Sequence, residues 1–468
     1  MSLPRAIGRQ KEVLYLRPQG HLAVLGTAGS GKTTLAILRS AYLASSTTEH
    51  FGKTLLVTFN NTLVSYLKRH QNDQLADVVI ENYHKFARGY LAFRGKLSRK
   101  SILDNPNRRE ELVKQAVETV SLKHGQNLLL NNRLQVFSEE IRWIIQHGIT
   151  SLEDYQNFHT VGRIGTRIEY SERELMFEIY QTYSKLRQQL GMQYDWDNLA
   201  SAVCAELDAD RSPRRYRHII IDEGQDFSPE MIRSLAKAIP PNGSLTFFGD
   251  VAQQIYGHRM SWREAGLNVT KIWEFKENYR NTKQIAKLGL AISEMPYFRD
   301  VPDIVEPVSP NADGPPPTLV KCASIQQEII FIVQQASEIA RTQSVAILVR
   351  DRRYANLIIP QLQRSVNLVN LDLDIKSWKT EQGIQYCGTY HSAKGLEFDA
   401  VILPFCNNQL LPDPEAVTAF GETDAMAQAG RLLYVGVTRA RSRLIITYSG
   451  ELTRLLPTDE SLYLKVSL

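Results

Sequence analysis

GTAGSGKTT, residues Gly26 to Thr34, is the most informative stretch of this chain. The apolar run HLAVL precedes it and the run LAILRSAYLA follows it, which predicts a strand, a glycine loop and a helix in that order. Four residues fill the fixed places of the pattern G-x-x-x-x-G-K-[ST]: Gly26, Gly31, Lys32 and Thr33. Glycines let backbone amides approach a phosphate, and the helix N-terminus favours the anion. The stretch therefore predicts a nucleoside triphosphate site.

Two side chains of this loop are expected to act on the nucleotide directly. Lys32 would reach the outer phosphates, and Thr33 would ligate magnesium. The loop and the first helical turn would supply the other contacts, from Gly26, Gly29, Gly31 and Thr34. ATP and Mg²⁺ are the expected ligands. A glycine turn without a ligand is the alternative, and the agreement of strand, loop and helix argues against it.

The composition is that of a globular protein without metal-binding cysteine motifs. The 468 residues predict two to four domains, and 43% hydrophobic with 22% charged residues suffices for packed cores. The net charge of +5 leans towards polyanionic partners. The four cysteines lie far apart without C-x-x-C pairs, which predicts reduced thiols and a cytoplasmic location. No apolar run reaches the about 20 residues that span a membrane, so no membrane partner is expected.

Apolar runs alternate with helical runs at both ends of the chain, which predicts an α/β fold with buried parallel strands. The first set is LAVL (22–25), TLLVTF (54–59), HIIIDE (218–223) and SLTFFGD (244–250). The second set is PTLVKCA (317–323), SVAILVR (344–350), IQYCGTY (384–390), AVILPF (400–405) and RLIITY (443–448). The predicted domains are a first α/β domain over 1–94 and 191–275, a helical insertion in it over 95–190, and a second α/β domain over 276–468.

Adjacent carboxylates end the strand HIIIDE at Asp222 and Glu223. Acids after a strand often only form a solvated turn, but beside a phosphate loop they predict an ATPase. Asp222 would hold magnesium through water, and Glu223 would take the proton from the attacking water.

Further motifs follow in a fixed order along the chain. They are DEGQD (222–226), GDVAQQIYGHR (249–259), ENYRNT (277–282), YHSAKGLEFDAVIL (390–403) and LLYVGVTRAR (432–441). With these motifs the chain resembles the superfamily 1 helicases of the UvrD/Rep/PcrA type over almost its whole length. The resemblance implies two RecA-like P-loop domains with ATP in the cleft between them. It also implies a motor that steps 3′-to-5′ along single-stranded DNA.

The resemblance assigns further roles around the nucleotide. Gln10 would read the adenine edge, with a surface glutamine as the alternative; Tyr279 would stack on the base and Glu397 would meet the ribose. Gln225 would be the family's coupling glutamine. Around the γ-phosphate the resemblance implies the sensing Gln253 and two arginine fingers, Arg280 and Arg439.

The resemblance also implies contacts with a single strand or with a tailed duplex. Phe59 would lie against a base and His84 would approach the backbone, and the match is completed by Tyr256, Arg259 and His391. Two positions depart from the family pattern. His258 replaces the usual tryptophan or phenylalanine, so its stacking would be weaker or pH-sensitive. Thr62 replaces a common lysine, which removes one phosphate contact.

Three other features leave alternatives open. The basic run RSPRRYR (211–217) could touch nucleic acid, although a solvated loop fits better, and LDLDIK (371–376) falls in an expected strand rather than in a nuclease site. Little more than the second domain's own elements separates Arg280 from His391, so the family's large accessory insertion is expected to be missing. The alternatives to a DNA motor are an RNA motor, or a regulatory ATP switch for a partner nuclease or another repair or defence protein.

Overall fold

The computed structural model of the chain describes residues 6, 8–27, 29–59, 61–69, 75–98, 101–125, 129–131, 134–158, 168–250, 262–275, 281–298, 312–362, 368–373 and 384–468. Among these residues, no helix combines the length and the apolar character needed to cross a membrane.

The strands are numbered in chain order. The first group is β1 (Gly20–Gly26), β2 (Thr54–Thr58), β3 (Val78–Asn82), β4 (Ile102–Leu103), β5 (Tyr194–Asp195), β6 (His218–Ile221), β7 (Ser244–Gly249) and β8 (Val269–Phe275). The second group is β9 (Thr318–Cys322), β10 (Val345–Val349), β11 (Leu368–Asn370), β12 (Gln385–Thr389), β13 (Phe398–Leu403), β14 (Ala440–Ser449) and β15 (Leu464–Ser467).

The helices are numbered in the same way. Those before β8 are α1 (Gln10–Leu14), α2 (Lys32–Ala44), α3 (Asn61–Arg69), α4 (Tyr83–Phe93), α5 (Pro106–His124), α6 (Leu134–Gln146), α7 (Leu152–Asn157), α8 (Arg173–Gln189), α9 (Leu199–Ala209) and α10 (Pro229–Lys237). Those after it are α11 (Lys283–Ser293), α12 (Ile325–Ile339), α13 (Arg352–Leu362), α14 (Pro414–Phe420) and α15 (Glu422–Thr438).

Two large parallel sheets carry the fold. The first has the strand order β3-β2-β6-β7-β1-β8, and the second has the order β11-β12-β10-β13-β14-β9-β15. Every recorded pair of neighbouring strands in them is parallel. The predicted α/β class with two parallel sheets is therefore confirmed.

Both faces of each sheet are covered, which explains the continuous apolar runs. In β6, Ile219 and Ile221 pack into one hydrophobic cluster while Ile220 packs into the cluster on the other face. In β10, Leu348 and Ile347 divide in the same way. Successive strand residues point to opposite faces, so a strand buried on both sides needs apolar residues at every position.

All the strands predicted from apolar runs are present, and each lies in the interior of its sheet. The four strands of the large sheets that were not predicted, β3, β8, β11 and β15, are the edges. An edge strand is less enclosed than an interior one and accepts polar residues: in β8, Lys271 and Glu274 are exposed. The expectation that LDLDIK forms a strand is wrong for its first residues, because β11 ends at Asn370 and 371–373 form a turn.

The helical segment between the halves of the first sheet has its own core. Helices α5 to α8 enclose a separate hydrophobic cluster that includes Val113, Phe137, Ile144 and Met176. Strands β4 and β5 pair in parallel at its two ends, with Ile102 opposite Tyr194. The helical character predicted there is present, and the domain boundaries stay a prediction.

Candidate functional site

The glycine loop connects β1 to α2, as the sequence predicts. Gly29 and Gly31 both have φ of +80°, a conformation that other residues adopt rarely. Gly31, the residue before the first residue of α2, has no side chain that could cap this helix end. The first amides of a helix have no intrahelical partners, so the loop offers donors to an anion. Gly26 lies at the end of β1, and Thr33 and Thr34 lie in the first turn of α2.

Lys32 lies across its own loop. Its Nζ donates to the carbonyl oxygens of Gly26 at 2.8 Å and Thr27 at 2.6 Å. The same Nζ is 3.7 Å from Oδ2 of Asp250, which follows β7. Asp250 was not singled out in the sequence, although it lies within the GDVAQQIYGHR motif. The ammonium is thus held where the strands β1 and β7 end.

Gln10 lies against the same loop and is only 6% exposed. Its Nε2 donates to the carbonyl oxygen of Ser30 at 3.3 Å. The alternative of a surface glutamine is therefore wrong, while the contact with adenine stays a prediction. Buried Arg39 fixes the other end of α1, because its Nη1 donates to the carbonyls of Val13 and Leu14 at 2.7 and 3.0 Å.

Thr33 and Asp222 meet next to the loop. Thr33 Oγ1 donates to Asp222 Oδ1 at 3.4 Å, and the buried Asp222 Oδ2 has no hydrogen-bond partner among the described residues. Burial raises the pKa of the Asp222 carboxyl, and the adjacent Glu223 carboxylate raises it further. Oxygen donors of this kind suit Mg²⁺, and a cation would satisfy the orphaned oxygen and restore the charged form. The two residues therefore fit the expected metal.

Glu223 has an unusual backbone and a charged environment. Its φ of 54° and ψ of 43° are left-handed, which costs a residue with a Cβ about 1–2 kcal/mol. Burial opposes ionisation, but the cations of Lys394, Arg439 and Lys32 hold the pKa of Glu223 below its ordinary value. The structure therefore presents an ionised carboxylate beside the glycine loop.

Gln225 joins Glu223 to the end of the neighbouring strand. Its Nε2 donates to Glu223 Oε2 at 2.6 Å, and its Oε1 accepts from the backbone N–H of Asp250 at 2.9 Å. One side chain thereby connects the segment after β6 with the segment after β7. A displacement of either segment would move the carboxylate of Glu223.

The second sheet contributes a buried lysine to this site. Lys394 forms an ion pair with Asp226, and the two residues are 3% and 7% exposed. Burial raises the pKa of Asp226 to about 6, although Lys394 opposes the rise. Neither residue was singled out in the sequence, but both stand in quoted motifs, Asp226 in DEGQD and Lys394 in YHSAKGLEFDAVIL. The pair therefore connects the first half of the chain, which contains the acidic motif and the first sheet, to the second half, which contains the second sheet.

Arg439 and Glu397 also belong to the second half. Arg439 is 1% exposed, and its guanidinium donates to the carbonyls of Val435 at 3.2 Å and Leu396 at 3.3 Å. Glu397 Oε2 accepts from Arg441 Nη2 at 3.0 Å. Arg439 is also one of the cations that lower the pKa of Glu223. The ribose contact of Glu397 stays a prediction.

Three of the residues expected to contact a nucleic-acid strand, Phe59, His84 and His391, line two adjoining cavities. Phe59 and His391 line a cavity of about 610 Å³ together with Lys394 and Asp226. Phe59 also lines a second cavity, of about 360 Å³, with His84 and Trp196. The rings of Phe59 and His84 pack edge to face, with their centroids 5.5 Å apart.

Both histidines are held neutral at these cavities. Burial lowers the pKa of His84 to about 4, with a further contribution from Arg88. Burial and Lys394 lower that of His391 to about 4. A neutral ring can pack against a base or accept a hydrogen bond, but it adds no charge for a phosphate.

Six residues with predicted roles lie outside the described residues: Gln253, Tyr256, His258, Arg259, Tyr279 and Arg280. The side chain of Thr62 is not described either. Their roles stay predictions.

A prediction concerns the ion pair between Asp226 and Lys394. The variants Asp226→Asn and Lys394→Met are each expected to lower ATP turnover, because each leaves the partner's charge buried and unpaired. The double variant should lose less than the sum of the single losses, with a coupling of about 1–3 kcal/mol. Steady-state ATP hydrolysis of the four proteins measures this. Strictly additive losses would show that the contact does not serve turnover.

Comparisons with known proteins agree with this geometry. A family described as the UvrD/REP helicase N-terminal domain matches residues 8–279, more than half of the chain, and the UvrD-like helicase C-terminal domain matches residues 376–451. A putative ATP-dependent DNA helicase, YjcD of Bacillus subtilis, is 25% identical over 57% of this chain and 34% of its own length. A probable DNA helicase II homolog of Mycoplasma capricolum is 23% identical over 68% of this chain and 44% of its own.

A third relative matches over nearly the whole chain. This probable DNA helicase of Mycoplasma pneumoniae is 22% identical over 94% of this chain and 83% of its own length. The chain spans less than half the length of the other two relatives. Because the N-terminal family matches more than half of the chain, including the glycine loop and every strand of the first sheet, the chain belongs to the UvrD/REP helicase family.

Proposed function

We propose that the chain is an ATP-dependent motor on single-stranded DNA, a DNA translocase and helicase. The observation that carries this proposal is the setting of Glu223. The carboxylate follows a strand of the first sheet, yet Lys394 and Arg439, which help to keep it ionised, come from the second half. Hydrolysis would therefore depend on how the two halves meet.

The first half would bind and prepare ATP. The amides of the glycine loop and Lys32 would hold the phosphates, and Thr33 with Asp222 would hold Mg²⁺, which neutralises charge on the transferred phosphoryl group. Glu223 would accept the proton of the attacking water, and its ionised state suits a base. Gln225 would keep that carboxylate in place through its contact of 2.6 Å.

The second half would respond to the nucleotide. Arg439 would neutralise charge on the γ-phosphate, and Lys394 would transmit the closure through Asp226. When the phosphate leaves, the cations lose their anion and the cleft can open, which is a hinge biased by the γ-phosphate. Phe59 and His391 line one cavity with Lys394 and Asp226, so closure would change how this cavity contacts single-stranded DNA.

The finer properties of the motor are also part of the proposal. The family resemblance supports 3′-to-5′ movement, and the names of the relatives support DNA rather than RNA. Cys204, Cys322, Cys387 and Cys406 are buried and free, which supports a reducing compartment such as the cytoplasm. The absence from the sequence of the large accessory insertion supports a motor that unwinds long duplexes poorly without a partner, such as a nuclease or another repair or defence protein.

ATP hydrolysis with and without nucleic acid tests the motor. A poly(dT) strand should stimulate hydrolysis many-fold and poly(U) should stimulate it less. The Lys32→Ala variant should be inactive in each case, since it lacks the charge at the outer phosphates. Stimulation by neither polymer would favour the regulatory switch, and stronger stimulation by poly(U) than by poly(dT) would favour an RNA-directed motor.

Phe59 supplies a prediction for strand binding. Phe59→Ala should weaken binding of an oligo(dT) strand about tenfold or more, because stacking of a base on an aromatic ring is worth about 1–3 kcal/mol. Fluorescence anisotropy at several salt concentrations measures the affinity, which should also fall as salt rises. Phe93→Ala is the matched control, since Phe93 is 76% exposed and lines neither cavity of the cleft. Equal losses in both variants would remove Phe59 from the strand path.

A further inference from the structure

A cavity of about 950 Å³ lies between α4, the end of α9 and the loop that leads into β6. None of the roles given above uses it. Its walls are mainly apolar and include Phe86, Leu97, Leu207, Tyr216 and Ala238. A space of this size accommodates a small molecule or a few side chains of a peptide.

Asp210 holds the loop side of this cavity in place. Its carboxylate accepts from the backbone N–H of Ser212 at 2.9 Å, from Ser212 Oγ at 2.7 Å and from the Tyr90 hydroxyl at 2.9 Å. Arg214 ties the loop to α9 by donating to the Leu207 carbonyl at 2.9 Å. The walls are therefore formed before any ligand binds, which lowers the cost of binding.

The charge at the cavity rim is positive. Four cationic side chains line the cavity, Lys85, Arg88, Arg214 and Arg215, against two carboxylates, Glu81 and Asp210. Both carboxylates are already paired within the protein: Glu81 with Lys85 at 2.9 Å and Asp210 with Arg94 at 3.3 Å.

In the part of the chain that the structure describes, two of these arginines have no carboxylate partner. Among the described residues, Arg88 and Arg215 form no ion pair. The guanidinium carbon of Arg88 lies 5.9 Å from the ring centroid of Trp196, and that of Arg215 lies 5.3 Å from the ring centroid of Tyr216. Both side chains are exposed. Phe93, at the end of α4, adds an exposed aromatic ring to the same lining. An apolar cavity with free cations at its edge is complementary to an acidic chain that carries an apolar side chain.

We propose that this cavity is a docking site for an acidic peptide segment of a partner protein. An aromatic or aliphatic side chain of the segment would enter the cavity, and neighbouring carboxylates would meet Arg88 and Arg215. Guanidinium groups recognise carboxylates well because both are planar and can form paired hydrogen bonds. Docking there does not depend on the motor activity proposed above, since no residue of the nucleotide site lines the cavity.

A nucleic-acid strand fits this cavity less well than a peptide. Single-strand grooves combine a cationic track along the backbone with aromatic platforms for successive bases. Here the cations stand at the rim and the interior is largely apolar. The aromatic side chains Phe59, His84 and Trp196 line the neighbouring cavity, and none of them lines this one.

Gly89 offers a way to close the cavity without harming the fold. It lies in α4 and lines the cavity, and a Cβ built on it would meet nothing within 4 Å. A glycine inside a helix is less favourable than other residues by up to about 1 kcal/mol. The variant Gly89→Leu should therefore fold and fill the cavity. Gly89→Ala also raises the helix propensity at this position but leaves the cavity open.

The probe is a fluorescein-labelled peptide of consecutive aspartates ending in leucine and phenylalanine, and its binding to the full chain is measured by fluorescence anisotropy. We expect saturable binding that weakens about tenfold or more when the peptide ends in serines instead. Gly89→Leu and the double variant Arg88→Gln/Arg215→Gln should weaken it to a similar degree. Gly89→Ala should bind like the unaltered protein, and so should the charge-matched control Lys114→Gln/Arg341→Gln, since both of these exposed cations lie outside the cavity lining. ATP hydrolysis by Gly89→Leu should be unchanged.

Three results would overturn the proposal. The first is no saturable binding of the apolar-ended peptide. The second is equal binding by the unaltered protein and Gly89→Leu. The third is weaker binding of an oligo(dT) strand by Gly89→Leu than by Gly89→Ala, which would make the cavity part of the nucleic-acid surface.

Discussion

Glu223→Gln is expected to bind ATP and to hydrolyse it about 10²–10⁴-fold more slowly than the unaltered protein, which is the range that a general base contributes. The glutamine keeps the shape of the side chain but cannot accept the proton of the attacking water. The surrounding cations, Lys394, Arg439 and Lys32, hold the carboxylate ionised, so the base is ready near neutral pH. Loss of its negative charge leaves these cations free for the phosphates, and nucleotide affinity should not fall.

Binding and chemistry can be separated in one set of measurements. A fluorescent ATP analogue reports affinity, and hydrolysis in a single turnover reports the chemical step. Glu140→Gln is the matched control, because Glu140 is a buried carboxylate in α6 that accepts from Tyr155, away from the phosphate loop. Hydrolysis by Glu223→Gln at the rate of this control would exclude Glu223 as the base.

How much of the fold was predictable depends on where a strand lies in its sheet. HIIIDE and SVAILVR are apolar at successive positions because β6 and β10 are buried on both faces. The edge strand β15, LKVS, is mostly exposed, and its composition does not distinguish it from a loop. The sequence therefore predicts the interior strands and the α/β class, whereas the edges follow from tertiary packing.

The candidate site likewise has features that the sequence predicts and features that it does not. The phosphate loop and the pair Asp222–Glu223 were predictable, because local chemistry fixes the residue types at a short spacing. The left-handed backbone of Glu223 was not, since glutamate has no preference for it and only the surrounding structure imposes it. The contact between Asp226 and Lys394 joins residues 168 positions apart, and such a distance leaves no local pattern.

The basic run at 211–217 forms part of a cavity wall that its sequence does not predict. Its charges suggested a solvated loop, and Arg211 and Arg215 are indeed exposed. Tyr216, however, is 3% exposed and forms part of an apolar wall. The cavity exists because the loop folds back on α4 and α9, and no periodicity in the run indicates that arrangement.

Arg439→Lys is expected to lower ATP turnover about 10³-fold, the lower end of what an arginine finger contributes, with less than a tenfold change in nucleotide affinity. The guanidinium is held by the carbonyls of Val435 and Leu396, so its position is fixed before ATP binds. A lysine keeps the charge but lacks the rigid fork that can hold these carbonyls and a phosphate together. The chemical step should therefore suffer more than binding.

Helix α15, which ends just before Arg439, offers a control for damage to the fold. Arg431 is also buried, and its Nε donates to the carbonyl of Ala427, four residues earlier, just as Arg439 Nε donates to that of Val435. Arg431→Lys should disturb α15 to a similar degree without replacing the guanidinium beside Glu223. If both variants lose turnover equally, the loss reports the packing of α15. If only Arg439→Lys loses it while the melting temperatures of the two match, the second half supplies a group that acts on the phosphate.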